Sequence, residues 1–511
     1  MSKSVTRRYI AWGLSISRSL IFDMLPFQIE VIVDQCPTQS IDPWTGIKVI
    51  EPKELANFDP NQTTIIVLAD LALNFYAIRD RAAEFGHHSV IPFSQYFPSA
   101  SVPRCLDEFE NIKPFELKPS PRNQNRVVIL IWELVVGGAE KQARLLKAGL
   151  EKIGFEVDLI CCIGSSQQGS SDIESRALLY RDSETAPMIL SSHESQIYET
   201  ACRLAYPLIA FLSAKLYSEL VNIDPDALIA YLEAPMLCAS IADRFYGKNN
   251  LVFRGWLAPN DQLPPTFLNC DYSVAKCILQ TSVKLGQATF ITDSDMGVKS
   301  YKRWLEIDIT HQPNAIEPVP IKRRTYKLSG SYSSVRQRKL VITAMRLVPQ
   351  KNPHYFVKLI KRLYESGIFV RGSILGDGPL RKEIQESIER LNLSEIVTIE
   401  GFRSDVETFM ENADLFVLPS HFEGMSNALM EACAAEIPFV ASRTEGTLNA
   451  IPIYLHRWLV DIHDEVAFYE RALEALMGKF GFDRDLQEEW LLAHSKEKLA
   501  KDLLSMLPKP M

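Results

Sequence analysis

The sequence has no Cys-x-x-Cys pair, no long uninterrupted apolar run and no excess of basic residues. Its nine cysteines, at Cys36, Cys105, Cys161, Cys162, Cys202, Cys238, Cys270, Cys277 and Cys433, are odd in number and irregular in spacing. That pattern argues against a disulfide framework or a zinc site and fits buried thiols in a reducing compartment. A membrane-spanning helix needs about 18 or more apolar residues in a row, so none is expected. The start, MSKSVTRRYIAWGLSISRSLIF, is basic and partly apolar. Arg18 interrupts it, however, and a strand-like Gln28–Asp34 follows where a cleavage site would lie, so no signal peptide is expected. A formal net charge of −8 argues against a general nucleic-acid binder. A cytoplasmic location is the expectation, with peripheral contact at the inner face of the membrane as an addition to it. There is no internal repeat and no low-complexity tract.

What is present is an ordinary globular composition, 47% hydrophobic and 23% charged over 511 residues. That is too long for one core and suggests roughly two to four domains. Strand-like and helix-like segments alternate throughout, which predicts parallel sheets with right-handed crossovers. Residues 1–118 form a first unit, with strands at Arg8–Trp12, Ile29–Asp34, Thr63–Ala69 and His88–Phe93 and helices at Ser17–Leu25 and Asn74–Phe85. The turn Gly13–Ser17 and the acid Asp34 stand where a dinucleotide-binding unit carries its glycine-rich turn and its ribose-binding carboxylate, but serine replaces two of the three glycines. The unit resembles small Rossmann-like modules, with a structural or partner-docking role favoured over cofactor binding. A Pro-containing stretch, Lys113–Asn125, reads as a linker. A second unit spans 119–318 and a third 319–483, separated by the serine-rich Pro318–Gln337. A charged helical segment, 484–511, closes the chain.

The most informative element is Ser420–Ala432, SHFEGMSNALMEA, with Glu423 and Glu431 eight residues apart. Before it, Ala413–Pro419 is an apolar strand; after it, Ala428–Ala435 consists of strong helix formers. A helix start offers unpaired N–H groups and a partial positive charge, which together hold phosphate. Gly424 and the amides of Met425, Ser426 and Asn427 are therefore candidate donor-binding groups. Glu431, about two turns into the helix, would accept hydrogen bonds from ribose hydroxyls. Glu423, on the loop, would face the sugar beyond the phosphates, where a carboxylate stabilises positive charge at an anomeric carbon. A bare pair of glutamates at this spacing is most often two solvated side chains; the rest of the chain changes that reading.

Together with Val136–Glu140 (VGGAE), Met345–Asn352 (MRLVPQKN) and Leu375–Leu380 (LGDGPL), this element resembles the retaining, nucleotide-sugar-dependent glycosyltransferases of family 4 over roughly residues 124–480. The resemblance implies an α/β protein of GT-B type, two Rossmann-like lobes facing a cleft, with the small N-terminal α/β domain appended. The 119–318 lobe would serve the acceptor, the 319–483 lobe the nucleotide-sugar donor, and 484–511 would be a helix crossing back to the first lobe. Arg346 and Lys351 would clamp the leaving diphosphate, which gains negative charge as the glycosidic bond breaks. Gly137 and Gly138, lacking side chains, would let substrate approach the backbone. Gly376 would border the nucleotide, and Phe402 is a candidate for the base pocket. The implied reaction moves a hexose or N-acetylhexosamine from a uridine or guanosine diphosphate carrier to a glycan or lipid-linked acceptor, as in envelope polysaccharide or lipopolysaccharide assembly.

The resemblance also implies front-face attack assisted by the leaving phosphate, which needs no protein nucleophile. No cofactor is expected and no metal is expected to be essential, because the second lobe has no Asp-x-Asp at a strand end and the two cations supply the charge. Asp293-Ser-Asp295 is read as a helix cap. The sequence departs from the family in two places. After Asp226–Tyr231 there is Leu232-Glu233 and no histidine, making Glu233 an acceptor-side candidate. After Val440–Gly446, Glu445-Gly446 and Asn449 replace a Gly-Gly pair and an acid. These departures keep open a catalytically silent GT-B protein acting in glycan binding or as a scaffold. Lys141, Arg144, Lys147 and Lys152 on one predicted helix suit either an anionic membrane surface or plain solvation.

Overall fold

The computed structural model describes residues 7–12, 28–34, 40–41, 47–67, 72–92, 102–116, 125–134, 137–164, 175–180, 190–205, 207–248, 250–256, 272–317, 338–403 and 405–507. Its strands form three sheets. The first is β3-β2-β1-β4-β5, built from β1 (Arg8–Trp12), β2 (Val31–Val33), β3 (Lys48–Ile50), β4 (Thr63–Val67) and β5 (Val90–Pro92). The second, β12-β11-β10-β9-β6-β7-β8, contains β6 (Arg126–Ile131), β7 (Glu156–Gly164), β8 (Ser175–Tyr180), β9 (Ala227–Tyr231), β10 (Leu251–Gly255), β11 (Ala288–Thr292) and β12 (Thr310–His311). The third, β15-β14-β13-β16-β17-β18, contains β13 (Lys339–Ala344), β14 (Val370–Leu375), β15 (Val397–Gly401), β16 (Leu415–Leu418), β17 (Phe439–Ser442) and β18 (Leu459–Val460). Every pairing between these strands is parallel.

Parallel strands are covered on both faces and so read as unbroken apolar runs. Val127–Ile131 and Leu415–Leu418 are buried along their whole length. In each sheet the strand order reverses once, between β1 and β4, between β6 and β9, and between β13 and β16. Loops leaving the carboxyl ends of two such neighbours diverge and leave a crevice, the position where doubly wound sheets bind ligands. The loops after β6 and β13 carry Gly137–Gly138 and Arg346–Lys351, and those after β9 and β16 carry Glu233 and Glu423–Asn427. The turn after β1, with its glycine-poor sequence, and the expected Ser17–Leu25 helix lie outside the described residues. Asp34 is buried at the end of β2.

The structure differs from the sequence reading in several elements. Strand β3 and the helices Ser192–Ala201 and Pro207–Ile223 were not anticipated. Helix Val102–Glu110, although it follows the first sheet in the chain, packs on the second: Phe109 and Ile112 enter that lobe's core, and Arg244 Nη2 donates to the Glu110 and Ile112 carbonyls at 2.6 and 3.1 Å. The C-terminal segment is not one helix but two, Arg484–Ala493 and Lys496–Met506, broken where Ser495 caps the second by accepting from the Lys498 amide. Trp490 of the first packs in the third-sheet core, and Leu499, Ala500 and Leu503 of the second pack against β6 and helix Gly138–Lys152. The crossing therefore occurs at the break. There the Ile316 amide donates to the His494 carbonyl at 2.8 Å and ties the outgoing segment to the returning one.

Candidate functional site at the seam of the two lobes

The Lys351 ammonium lies 2.7 Å from both oxygens of Glu423. Glu423 is 3% exposed and the Lys351 side chain 17%. Their elements bring them together from different strand ends. Lys351 ends a short 3-10 turn begun by Pro349, and Gln350 beside it holds the 420s loop, accepting from the His421 amide (2.8 Å) and donating to the Phe422 carbonyl (2.9 Å). Arg346 is exposed and faces Glu140 of the first lobe closely enough to oppose the effect of burial on it. That burial, partly offset by Arg144 and Arg346, pushes the Glu140 carboxyl above its ordinary range. Glu140 folds over Gly137: a Cβ there would stand 2.3 Å from Glu140 Oε2. A side chain at Gly137, the cap of helix Gly138–Lys152, would therefore have to move the Glu140 carboxylate away from the helix start.

Helix Asn427–Ala434 starts directly opposite that helix start. Asn427 Nδ2 donates to the Gly138 carbonyl (3.1 Å), Gln142 Nε2 donates to Asn427 Oδ1 (3.0 Å), and Lys141 Nζ donates to Glu431 Oε1 (2.7 Å). Both lobes thus meet at the expected donor helix, and the carboxylate assigned to ribose is held by a first-lobe lysine. Three of the four cations on this helix form ion pairs in the protein: Lys141 with Glu431, Lys147 with Glu151 and Lys152 with Glu497.

Two assignments made from sequence change. The Met425 amide, expected to hold phosphate, faces the Asp293 carboxylate and favours its charged form, and the Met425 sulfur accepts from the Asn314 amide at 3.1 Å. Ser426 and Asn427 are the remaining amide candidates. Glu233 does not line an open acceptor surface: it is buried, the Tyr301 hydroxyl donates to it, and desolvation raises its carboxyl. Gly424 is glycine for a packing reason as well, since a Cβ would stand 2.0 Å from Trp256 Nε1 and 3.2 Å from Asp293 Oδ1. Gly376 adopts φ +140, and a Cβ would meet the Met345 carbonyl at 1.9 Å. It donates to the Gly401 carbonyl (2.8 Å), which places it beside Phe402, 58% exposed at the end of β15. Arg403 is held by Asp405 at 2.7 Å.

The two departures from the family pattern at the rim make lobe-to-lobe contacts. Glu445 pairs with Lys299 (2.9 Å), and Asn449 Nδ2 donates to Asp295 Oδ2 (3.2 Å). Gly446 between them lies under the site loop, a Cβ there being 1.6 Å from the Gly424 carbonyl oxygen. Sequence reasoning missed Trp256, Asn314, Lys141 as a partner of Glu431, and Asp293. Ser294 is the cap of helix Asp295–Leu305, accepting from the Gly297 amide, and this leaves Asp293 for the seam. Its one signal was a carboxylate directly after the strand-like run Ala288–Thr292. Among the described residues no cluster of three metal-ligating side chains occurs, and no helix is long and apolar enough to cross a membrane.

Two doubly wound lobes with their switch-point loops face to face define the GT-B architecture, and solved structures share it. The chain is similar to HepE of Anabaena in complex with UDP and glucose, at 15% identity and TM-score 0.53 over 75% of this chain and 99% of that one. Sucrose-phosphate synthase from Thermosynechococcus elongatus matches at 15% identity and TM-score 0.53, over 75% of this chain and 98% of that one. At such identity these likenesses establish the fold. Residues 327–489 match the family model described as glycosyl transferases group 1. Among curated proteins, the putative colanic acid biosynthesis glycosyltransferase WcaL of Salmonella typhimurium is 30% identical over 171 residues, 32% of this chain and 41% of its own length. An Escherichia coli protein named UDP-Gal:alpha-D-GlcNAc-diphosphoundecaprenol alpha-1,3-galactosyltransferase is 32% identical over 129 residues, 24% of this chain and 33% of its own. The chain thus matches less than half the length of these relatives.

Proposed function

We propose that the chain is a retaining glycosyltransferase of family 4, moving a hexose or N-acetylhexosamine from a nucleotide diphosphate sugar to a glycan or lipid-linked acceptor in envelope polysaccharide assembly. The observation that carries this is the Lys351–Glu423 pair at 2.7 Å, buried on the loop that leads into the helix carrying the second carboxylate, Glu431. The matched family model and the named relatives support the reaction class, and a uridine nucleotide in the HepE complex makes UDP sugars the first donors to test. In this reading Arg346, Lys351 and the amides of Ser426 and Asn427 receive the diphosphate, Glu431 receives the ribose and Phe402 borders the base. Positive charge from Arg346 and Lys351 stabilises the leaving group where a divalent ion would otherwise do so. Glu423 stands next to that charge, placed to stabilise the developing oxocarbenium or to hold a sugar hydroxyl. The acceptor hydroxyl then attacks from the side the diphosphate leaves, and the leaving phosphate takes its proton.

The test combines a thermal-shift screen against UDP and GDP sugars with product analysis. A ligand that binds only the folded form raises its melting temperature. A shift with one donor, transfer or hydrolysis abolished by Glu423→Ala and Arg346→Ala, and a product whose anomeric proton coupling matches the donor's are the expected results. No shift and no nucleotide release with any donor would leave the silent GT-B reading standing instead.

A further inference from the structure

Asp293, at the carboxyl end of β11 in the first lobe, has no part in the chemistry just described, yet the seam is built around it. It is buried, its Oδ2 accepts from Asn314 Nδ2 at 3.2 Å, and the Met425 amide of the opposite lobe faces its carboxylate and favours the charged form. Its Oδ1 has no hydrogen-bond partner among the described residues and lies against the Cα face of Gly424. Asn314 completes the clamp. Its side-chain amide also reaches the Met425 carbonyl (3.2 Å) and Asn427 Oδ1 (3.2 Å), while its own carbonyl oxygen accepts from Arg254 Nη2 (3.0 Å). Arg254 is itself buried and fixed by donating to Gln312.

The loop between β16 and helix Asn427–Ala434 has no regular secondary structure. It is held on the His421–Phe422 side by Gln350 of its own lobe and on the Gly424–Met425 side by Asp293 and Asn314 of the other. Glu423 lies between the two anchors. We infer that Asp293, with Asn314, is a positioning residue for the transfer: it ties the Glu423–Asn427 loop to the first lobe and thereby fixes Glu423 relative to the donor. The inference rests on the proposed function for its kinetic consequence, but not for its structural one.

The test uses the full chain with Asp293→Ala, Asp293→Asn and Asn314→Ala. Hydrogen exchange of the peptide covering residues 420–428 is followed at neutral pH, and UDP release is measured with UDP-glucose, UDP-galactose and UDP-N-acetylglucosamine. Asp293→Ala removes the bond accepted from Asn314 and the carboxylate that faces the Met425 amide, so exchange in that peptide should rise at least tenfold while β13 and β14 stay protected. For the donor the wild type uses, kcat should fall at least tenfold with KM within threefold. Asp293→Asn keeps an oxygen in place and should restore both readouts to within threefold of wild type. Exchange in the Asp293→Ala protein equal to wild type overturns the inference, as does a loss confined to KM. Should Asp293→Ala fail to fold, Asn314→Ala removes the partner bonds to Met425 and Asn427 and is judged by the same exchange criterion. A wild type that releases no UDP from any donor counts against the proposed function, while the exchange result still decides the anchoring.

Discussion

Replacing Lys351 by methionine tests the core of the site, because its effect on stability follows from burial alone. Glu423 is 3% exposed and both its oxygens lie 2.7 Å from the Lys351 ammonium. Removing the cation leaves a carboxylate in a dry seam, and breaking one side of a buried pair costs about 3–5 kcal/mol. The Lys351 side chain keeps 17% exposure, so the pair is not fully sealed and the lower end applies. At ~2–4 °C per kcal/mol for a unit of this size, the lobe should melt roughly 6–12 °C lower. The converse change should be milder. Glu423→Gln leaves a lysine that reaches water by a small rotation, and the expected cost is about 1 kcal/mol. Combining the two removes both charges, so the double variant should be close to Glu423→Gln rather than to the sum, a coupling of about 3 kcal/mol. Calorimetric melting of the four proteins measures this directly. A Lys351→Met protein melting within about 2 °C of wild type, or a double variant whose losses add, would refute the picture of a desolvated pair.

Gly446→Ala should displace the site loop, because the added Cβ would stand 1.6 Å from the Gly424 carbonyl and 2.3 Å from that of Glu423; donor turnover at least tenfold below wild type is expected, and full activity would contradict the packing. Phe402→Ala removes a ring that is 58% exposed, so melting should not change. If the ring stacks on the base, nucleotide affinity measured by calorimetric titration should drop roughly tenfold, within the ~1–3 kcal/mol of such contacts. Asp293 makes stability pH-dependent in the unusual direction. Desolvation raises its carboxyl from 3.8 to about 6, so the fold prefers the neutral form and binds the proton more tightly than the unfolded chain does. The resulting penalty is absent below about pH 4, grows between about pH 4 and 6, and is complete above that, at about 3 kcal/mol for a shift of about 2 units. Asp293→Asn, which cannot ionise, should therefore stabilise the protein at pH 7.5 and change little at pH 4. Equal melting shifts at the two pH values would show that the carboxylate is not desolvated.

What the sequence disclosed depended on whether a feature is local in the chain. Buried parallel strands such as Val127–Ile131 and Leu415–Leu418 announce themselves as apolar runs, and Glu423 and Glu431 sit in one contiguous element whose strand, loop and helix are each legible from neighbouring residues. Glycines at strand ends were legible as positions, but their reasons were not. Gly376 needs a backbone conformation that a local reading can suspect, whereas Gly424 and Gly446 are small because Trp256 and the site loop itself press on them from elsewhere in the fold. The C-terminal segment shows the same divide: its helical composition could be read, but the break at Ser495 follows from having to bury Trp490 in one lobe and Leu499 in the other.

Lobe-to-lobe contacts are the extreme case. Lys141 and Glu431 are 290 positions apart, and Asn314 and Met425 are 111 apart; no spacing rule links such pairs. Glu445 and Asn449 looked like a damaged rim when compared with the family pattern. In the fold they pair with Lys299 and Asp295 of the opposite lobe. The same two positions therefore weigh less against catalysis than they did in the sequence: Glu445 and Asn449 make contacts where the lobes touch, and neither is a partner of the Lys351–Glu423 pair.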